Sequence, residues 1–168
     1  MTNYQKFNQN DYLPNLTHIN SLLSSKNQQP LQQLLSPQAY TVLIHLINKL
    51  KTTMETPPKK HKHFQSSYFL TKNYVKTKLH LSYTQFTKAV DTLIRFNLVT
   101  VSSYYVVLTE HNMYTYKLKL SNFQDFIQFF KKYKKIQSNP NHSFSDLLYP
   151  LKTYLNSTYT FNYEDQFL

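Results

Sequence analysis

A chain of 168 residues without a single glycine lacks the residue that most readily adopts positive φ. Turns that need left-handed backbone must fall to Asn, Asp or His, which tolerate it best after glycine. The same absence removes whole classes of chemistry. Phosphate-cradling loops and dinucleotide-binding turns need glycine where the backbone meets the ligand, so neither is open to this chain.

Cysteine is absent too, which excludes disulfides and thiolate metal sites. The opening residues have no apolar stretch of the kind that marks a secretory signal. No run approaches the roughly 18 apolar residues of a membrane span. A cytoplasmic protein with no membrane partner is the expectation. Hydrophobic residues make up 40% of the chain, enough to build one core without staples. Against eight acidic side chains stand 19 lysines and arginines, for a formal charge of +11. That excess favours an anionic partner, with phosphate backbones first among candidates. Arg95 is the sole arginine. The preference for Lys, Asn, Tyr and Phe over Gly and Ala is that of a very AT-rich coding genome, as in low-GC Gram-positive bacteria, their phages and their mobile elements.

Periodicity divides the chain. Thr17 can cap a short helix to about Ser25, the segment Lys26 to Pro30 reads as a turn, and Pro30 suits the first position of a further short helix. Ser36-Pro37 is a strong helix start. The apolar steps Ala39, Val42, Leu43, Leu46, Ile47 and Leu50 then predict a core helix to about Met54, with His45 at its edge. Pro57-Pro58 and the cluster Lys59 to His63 form a basic loop, and Phe64 to Leu70 a short strand. Thr71 opens a helix holding Val75 and Leu79. Ser82 opens the next, with Gln85 completing a capping box, and Asn97 ends it in a left-handed conformation. Leu98 to Leu108 reads as strand, broken at Ser102-Ser103. Glu110 to Asn112 is the turn, and Met113 to Leu120 the returning strand. Ser121 caps a helix with a phenylalanine face and a lysine-rich end. Ser143 starts a last helix that ends or breaks near Pro150.

The segment Tyr68 to Val101 thus orders helix, tight turn, capped helix, left-handed terminator and strand. It resembles bacterial winged-helix DNA-binding domains. Leu79-His80-Leu81-Ser82 matches their turn. Phe86, Ala89, Val90 and Leu93 match the buried positions of the recognition helix. Asn97-Leu98-Val99 stands where the family has Gly-Leu-Ile, and His80 where it often has glycine or asparagine. Leu35 to Leu50 resembles the first helix of such domains in plasmid and phage replication initiators, which extends the likeness over Leu35 to Leu120, a layout that many transcription regulators share. The likeness implies an α+β fold: a winged helix-turn-helix at residues 35–120, with an N-terminal arm at 1–34 and a C-terminal helical extension at 121–168.

The resemblance implies double-stranded DNA as partner. Removing the buried set from the recognition helix leaves Tyr83, Thr84, Gln85, Thr87, Lys88, Asp91, Thr92 and Arg95 outward. Gln85 can pair with adenine, Thr84 and Thr87 can offer methyls to thymine, and Lys88 can reach guanine or phosphate. Asp91, a poor phosphate neighbour, can orient Lys88 or Arg95. Lys72, Asn73, Lys76 and Lys78 are placed for backbone contacts that set register. His111 and Asn112 stand at the wing tip, with Lys117 and Lys119 on its outer face. A second copy of the chain is a further partner, through the last helix.

Other chemistry finds little support. The acidic residues are dispersed, no paired-carboxylate pattern appears, and the one close histidine pair, His61 and His63, flanks a lysine with no carboxylate near. No enzyme activity, metal or cofactor is expected. Replication initiation or transcription regulation in a mobile genetic element is the expected role. The alternative is an element protein that binds and inhibits a host protein.

Overall fold

The computed structural model describes residues 17–55 and 67–167. The expectations for the first 16 residues and for the loop carrying His61 and His63 lie outside them. The chain is α+β. A short helix α1 spans 17–22. It leads to α2 (Ser25–Leu35), α3 (Pro37–Glu55), β1 (Ser67–Phe69), α4 (Lys72–Tyr74, continued by a π-helical turn Val75–Leu79) and α5 (Tyr83–Arg95). There follow β2 (Val99–Val106), β3 (His111–Leu118), a 3-10 turn (Leu120–Asn122), α6 (Phe123–Gln137) and α7 (Phe144–Phe167). The strands form an antiparallel sheet in the order β1-β3-β2.

Two prolines, one expected to open a helix after a turn and one expected to end or break the last, lie inside helices. Pro30 sits in α2 and Pro150 in α7. An interior proline forgoes one backbone bond and costs about 3 kcal/mol. In α2, complete burial of Leu31 and near-complete burial of Leu35 offset this, at about 1.5–3 kcal/mol each. The amide of Asn27, itself buried, donates to the carbonyls of Ser21 and Leu22 and locks the α1–α2 corner.

Positive φ occurs at Ser36, His80, Asn97 and Glu110. His80 and Asn97 carry the left-handed positions after the π turn and after α5, as a glycine-free chain requires. Asn97 closes α5: its N–H reaches the Ile94 carbonyl and the Leu98 N–H reaches Leu93, a paired arrangement that satisfies the last turn. Ser36 and Glu110 are not among the expected residue types. Ser36, at φ 101° and ψ 153°, occupies a region that glycine normally holds, at a cost of order 1–3 kcal/mol. Its hydroxyl accepts from the Ala39 N–H and caps α3, which returns about 1 kcal/mol.

One buried cluster runs from Ile19 through α2, α3 and α5 to Phe130 in α6, with Leu151, Tyr154 and Leu155 of α7 packed against it. The α3 stripe expected from sequence is its centre: Ala39, Val42, Leu43, Leu46 and Ile47 are fully buried, and α3 packs on α5. Ser121 does not cap α6. Asn122 stands at that position without a side-chain cap bond. Its buried amide instead donates to the Phe96 and Asn97 carbonyls and to the Tyr154 hydroxyl, which itself donates to Phe96. This joins the C-terminal helices to the end of α5.

Burial pushes the Tyr154 phenol up to about 12, the Asn122 bond opposing it and Asp125 adding to it. Tyr116 is likewise raised to about 12, by burial and then by Tyr83 and Tyr114. Unfolded tyrosines ionise near pH 10. The stability these two contribute is therefore complete below pH 10 and is lost as pH rises towards 12. Tyr154→Phe should reduce the alkaline loss of stability, read as the unfolding midpoint in urea at pH 9 against pH 11.

Candidate nucleic-acid interface

Helix α5 is held at both ends. At its start the Ser82 hydroxyl accepts from the Gln85 N–H, and the Gln85 side-chain oxygen accepts from the Ser82 N–H. At its end stands the Asn97 terminator. One face is buried through Phe86, Ala89, Val90 and Leu93, with Phe86 edge-on to Tyr116 of β3 at 5.3 Å. Tyr83, Thr84, Gln85, Thr87, Lys88, Asp91 and Arg95 are exposed, and Thr92 is half-buried.

The bonds within this face narrow what each group can do. Gln85 holds the cap, so pairing with adenine would have to share or break that bond. The hydroxyls of Thr87 and Thr92 donate back to the Tyr83 and Lys88 carbonyls. That leaves the Thr87 methyl as its free offering.

The π turn brings Val75 and Leu79 inward and leaves Lys76 and Lys78 exposed beside Lys72 and Asn73. Thr71 caps this helix by accepting from the Tyr74 N–H. The Lys72 ammonium lies 4.5 Å from the centre of the Tyr83 ring, tying α4 to the start of α5. On the other side of α4, the Tyr74 hydroxyl meets His45 Nε2 at 3.2 Å. Burial and then Lys49 hold the His45 pKa below its ordinary value, consistent with an edge residue of the core.

The hairpin differs from expectation in three respects. β2 is unbroken, since Ser102 and Ser103 pair in register with Thr115 and Tyr114. The turn is Val107–Glu110, so His111 and Asn112 are strand residues opposite Val106 and Tyr105. The tip is apolar, with Val107 77% and Leu108 96% exposed. Finally, Lys117 alternates with Tyr116, the residue that meets α5. It therefore lies on the opposite face of the sheet, and with Lys119 it borders a separate cleft beside Leu50. The structure thus brings Lys72 against Tyr83 at the start of α5, leaves Asn73, Lys76 and Lys78 exposed on the preceding helix, and places Lys117 and Lys119 at a separate cleft.

Between β1, the start of α5 and the hairpin is a cavity of about 330 Å³ bordered by Phe69, Lys72, Tyr83, Asn112, Tyr114 and Tyr116. Sequence reasoning placed Tyr83 and Asn112 at the interface but missed Phe69 and Tyr114. Both read as ordinary strand residues. Tyr114 lies where the hairpin extends past its pairing with β1, and there the core-facing side of the strand opens to solvent.

On α6 the phenylalanines pack inward and Lys131, Lys132 and Lys135 are exposed. Lys134 instead donates to the buried Asn27 at 2.6 Å. Among the described residues no group of three or more His, Cys, Asp or Glu could hold a metal, and no helix is long and apolar enough to cross a membrane. No protein-family profile, curated protein or solved structure matches the chain.

Proposed function

We propose that this is a non-catalytic, double-stranded-DNA-binding protein of winged-helix type, with α5 entering the major groove and α4 lying across the phosphate backbone. The observation that carries the reading is the α4–α5 surface. A rigidly capped helix exposes Thr84, Thr87 and Lys88, and three exposed lysines adjoin it on the preceding helix. Base-edge groups on one helix and phosphate-binding cations on its neighbour are the two components of specific recognition. The composition is that of a very AT-rich coding genome, and the role we assign is replication initiation or transcription regulation in a mobile genetic element.

The test is selection of bound fragments from AT-rich random and native flanking DNA, followed by titration against salt. A slope for roughly 4–8 phosphate contacts is expected. Repeated motifs near an origin support an initiator, and a promoter palindrome supports a regulator acting as a homodimer. Lys88→Ala should weaken binding to the selected site by about 1–3 kcal/mol while leaving non-specific binding nearly unchanged. Gln85→Ala would confound affinity with loss of the cap. Gln85→Glu keeps the capping acceptor and removes the amide donor, so it is the cleaner variant. If Lys88→Ala and Gln85→Glu both bind as wild type does, α5 is not the reading helix.

A second reading, inhibition of a host protein, draws on the exposed Val107 and Leu108 at the hairpin tip. Such a partner would stay bound in salt that strips DNA, which separates the two.

A further inference from the structure

The cavity beside α5 goes further than duplex binding. We propose that it holds one unpaired nucleobase, stacked on Tyr83 and Tyr114, so that the protein favours DNA with a base free of its partner. The inference rests on the DNA-binding reading and specifies the form of DNA.

Two of the large apolar side chains that the chain leaves exposed border this one cavity, Tyr83 at 48% and Tyr114 at 43%, with Phe69, whose pairing with Thr115 turns its ring to the other face of the sheet, at its edge. Their clustering needs a reason, because scattered exposed aromatics are ordinary and grouped ones mark binding surfaces. At about 330 Å³ the cavity is at the small end of ligand sites, fitting one flat ring system. Its rim carries a cation, Lys72, whose ammonium sits over the Tyr83 ring and can meet the phosphate flanking a stacked base. Asn112 lines it with an amide that both donates and accepts, matching the edge of a base. Tyr116 lines it as well, with a phenol that is neutral at physiological pH.

The aromatic lining excludes a paired base as occupant. Within a duplex a base pair offers only its edges to the grooves, because its faces are covered by neighbouring pairs. Tyrosine rings take up bases through their faces, as single-strand binding proteins do. The base must therefore be unpaired.

The test uses the full chain and two AT-rich duplexes of one sequence, one of them carrying a single bulged 2-aminopurine. Binding is read by anisotropy and by the fluorescence of the probe base. The bulged duplex should bind more tightly, with quenching of the probe. Tyr114→Ala should weaken binding to it about 5- to 100-fold, with the paired duplex changed by less than about twofold, and Tyr83→Ala should lose more on the bulged duplex than on the paired one. Tyr83→Phe and Tyr114→Phe should retain the preference, since the ring and not the hydroxyl does the stacking. Thermal melting confirms that each variant is folded. Equal affinity for the two duplexes, or equal losses on both in the alanine variants, overturns the inference. In that case Lys88-dependent binding to paired DNA would leave the DNA-binding reading standing. Binding to neither duplex overturns both.

Discussion

Replacing Lys76 and Lys78 together by glutamate should weaken duplex binding by about 100- to 1,000-fold near physiological salt. Each phosphate contact contributes a salt slope of about 0.9, which at 0.15 M is roughly fivefold in affinity. Losing two contacts removes about 30-fold, and placing two anions against the backbone adds a comparable repulsion. Both lysines are exposed on the π turn beside α5, so the substitution spares the core, and an unchanged melting temperature will show it. The control is Lys131→Glu with Lys135→Glu on α6, where both lysines are also exposed. Each double variant lowers the formal charge of +11 by four. A loss of less than about tenfold in the α6 variant, against the larger loss in the α4 variant, assigns the effect to position. Equal losses would mean that DNA responds to overall charge alone, and α4 would lose its place in the interface.

The α4–α5 surface was legible in the sequence because each of its determinants is local. A capping box needs only Ser82 and Gln85, and a terminator only Asn97. The buried stripe follows from spacing between Phe86 and Leu93. The same locality explains the failures. Pro30 and Pro150 are helix breakers by backbone chemistry, and packing of their helix neighbours Leu31 and Tyr154 with sequence-distant core residues offsets that cost. The hairpin turn was misplaced because Val106, Val107 and Leu108 have strand propensity. Without glycine or an Asn-Gly pair, nothing local marked where the chain reverses, and a left-handed Glu110 completes the turn instead. The Asn122 clamp joins residues more than 20 positions apart, beyond any window of periodicity. Tyr114 and Phe69 were missed as site residues for a related reason. Alternation assigns a strand residue to a face, but only the sheet order β1-β3-β2 shows where that face runs out of core.

The C-terminal helices matter to the interface through this clamp, and Phe126 gives access to the connection. Phe126→Ala should destabilise the protein by about 3–5 kcal/mol, the usual cost of removing a fully buried phenylalanine. Its ring is 0% exposed. It stacks on Phe130 at 6.2 Å and lies 5.9 Å from Phe96 and 6.3 Å from Tyr154. Since whole domains are stable by only about 5–15 kcal/mol, the variant should approach the limit of folding. Phe126→Leu keeps most of the volume and should lose less than half as much. Phe96 caps the C-terminus of α5, and its carbonyl accepts from Asn122 and Tyr154. Loosening α6 and α7 therefore frees the end of the helix that we place in the major groove. The continuity of the core from Ile19 to Phe130 predicts a single cooperative transition in urea, with DNA binding lost along the same curve. A first transition that melts α6 and α7 while duplex binding persists would show instead that residues 121–168 form a separate unit, and that α5 is held by Ser82, Asn97 and α3 alone.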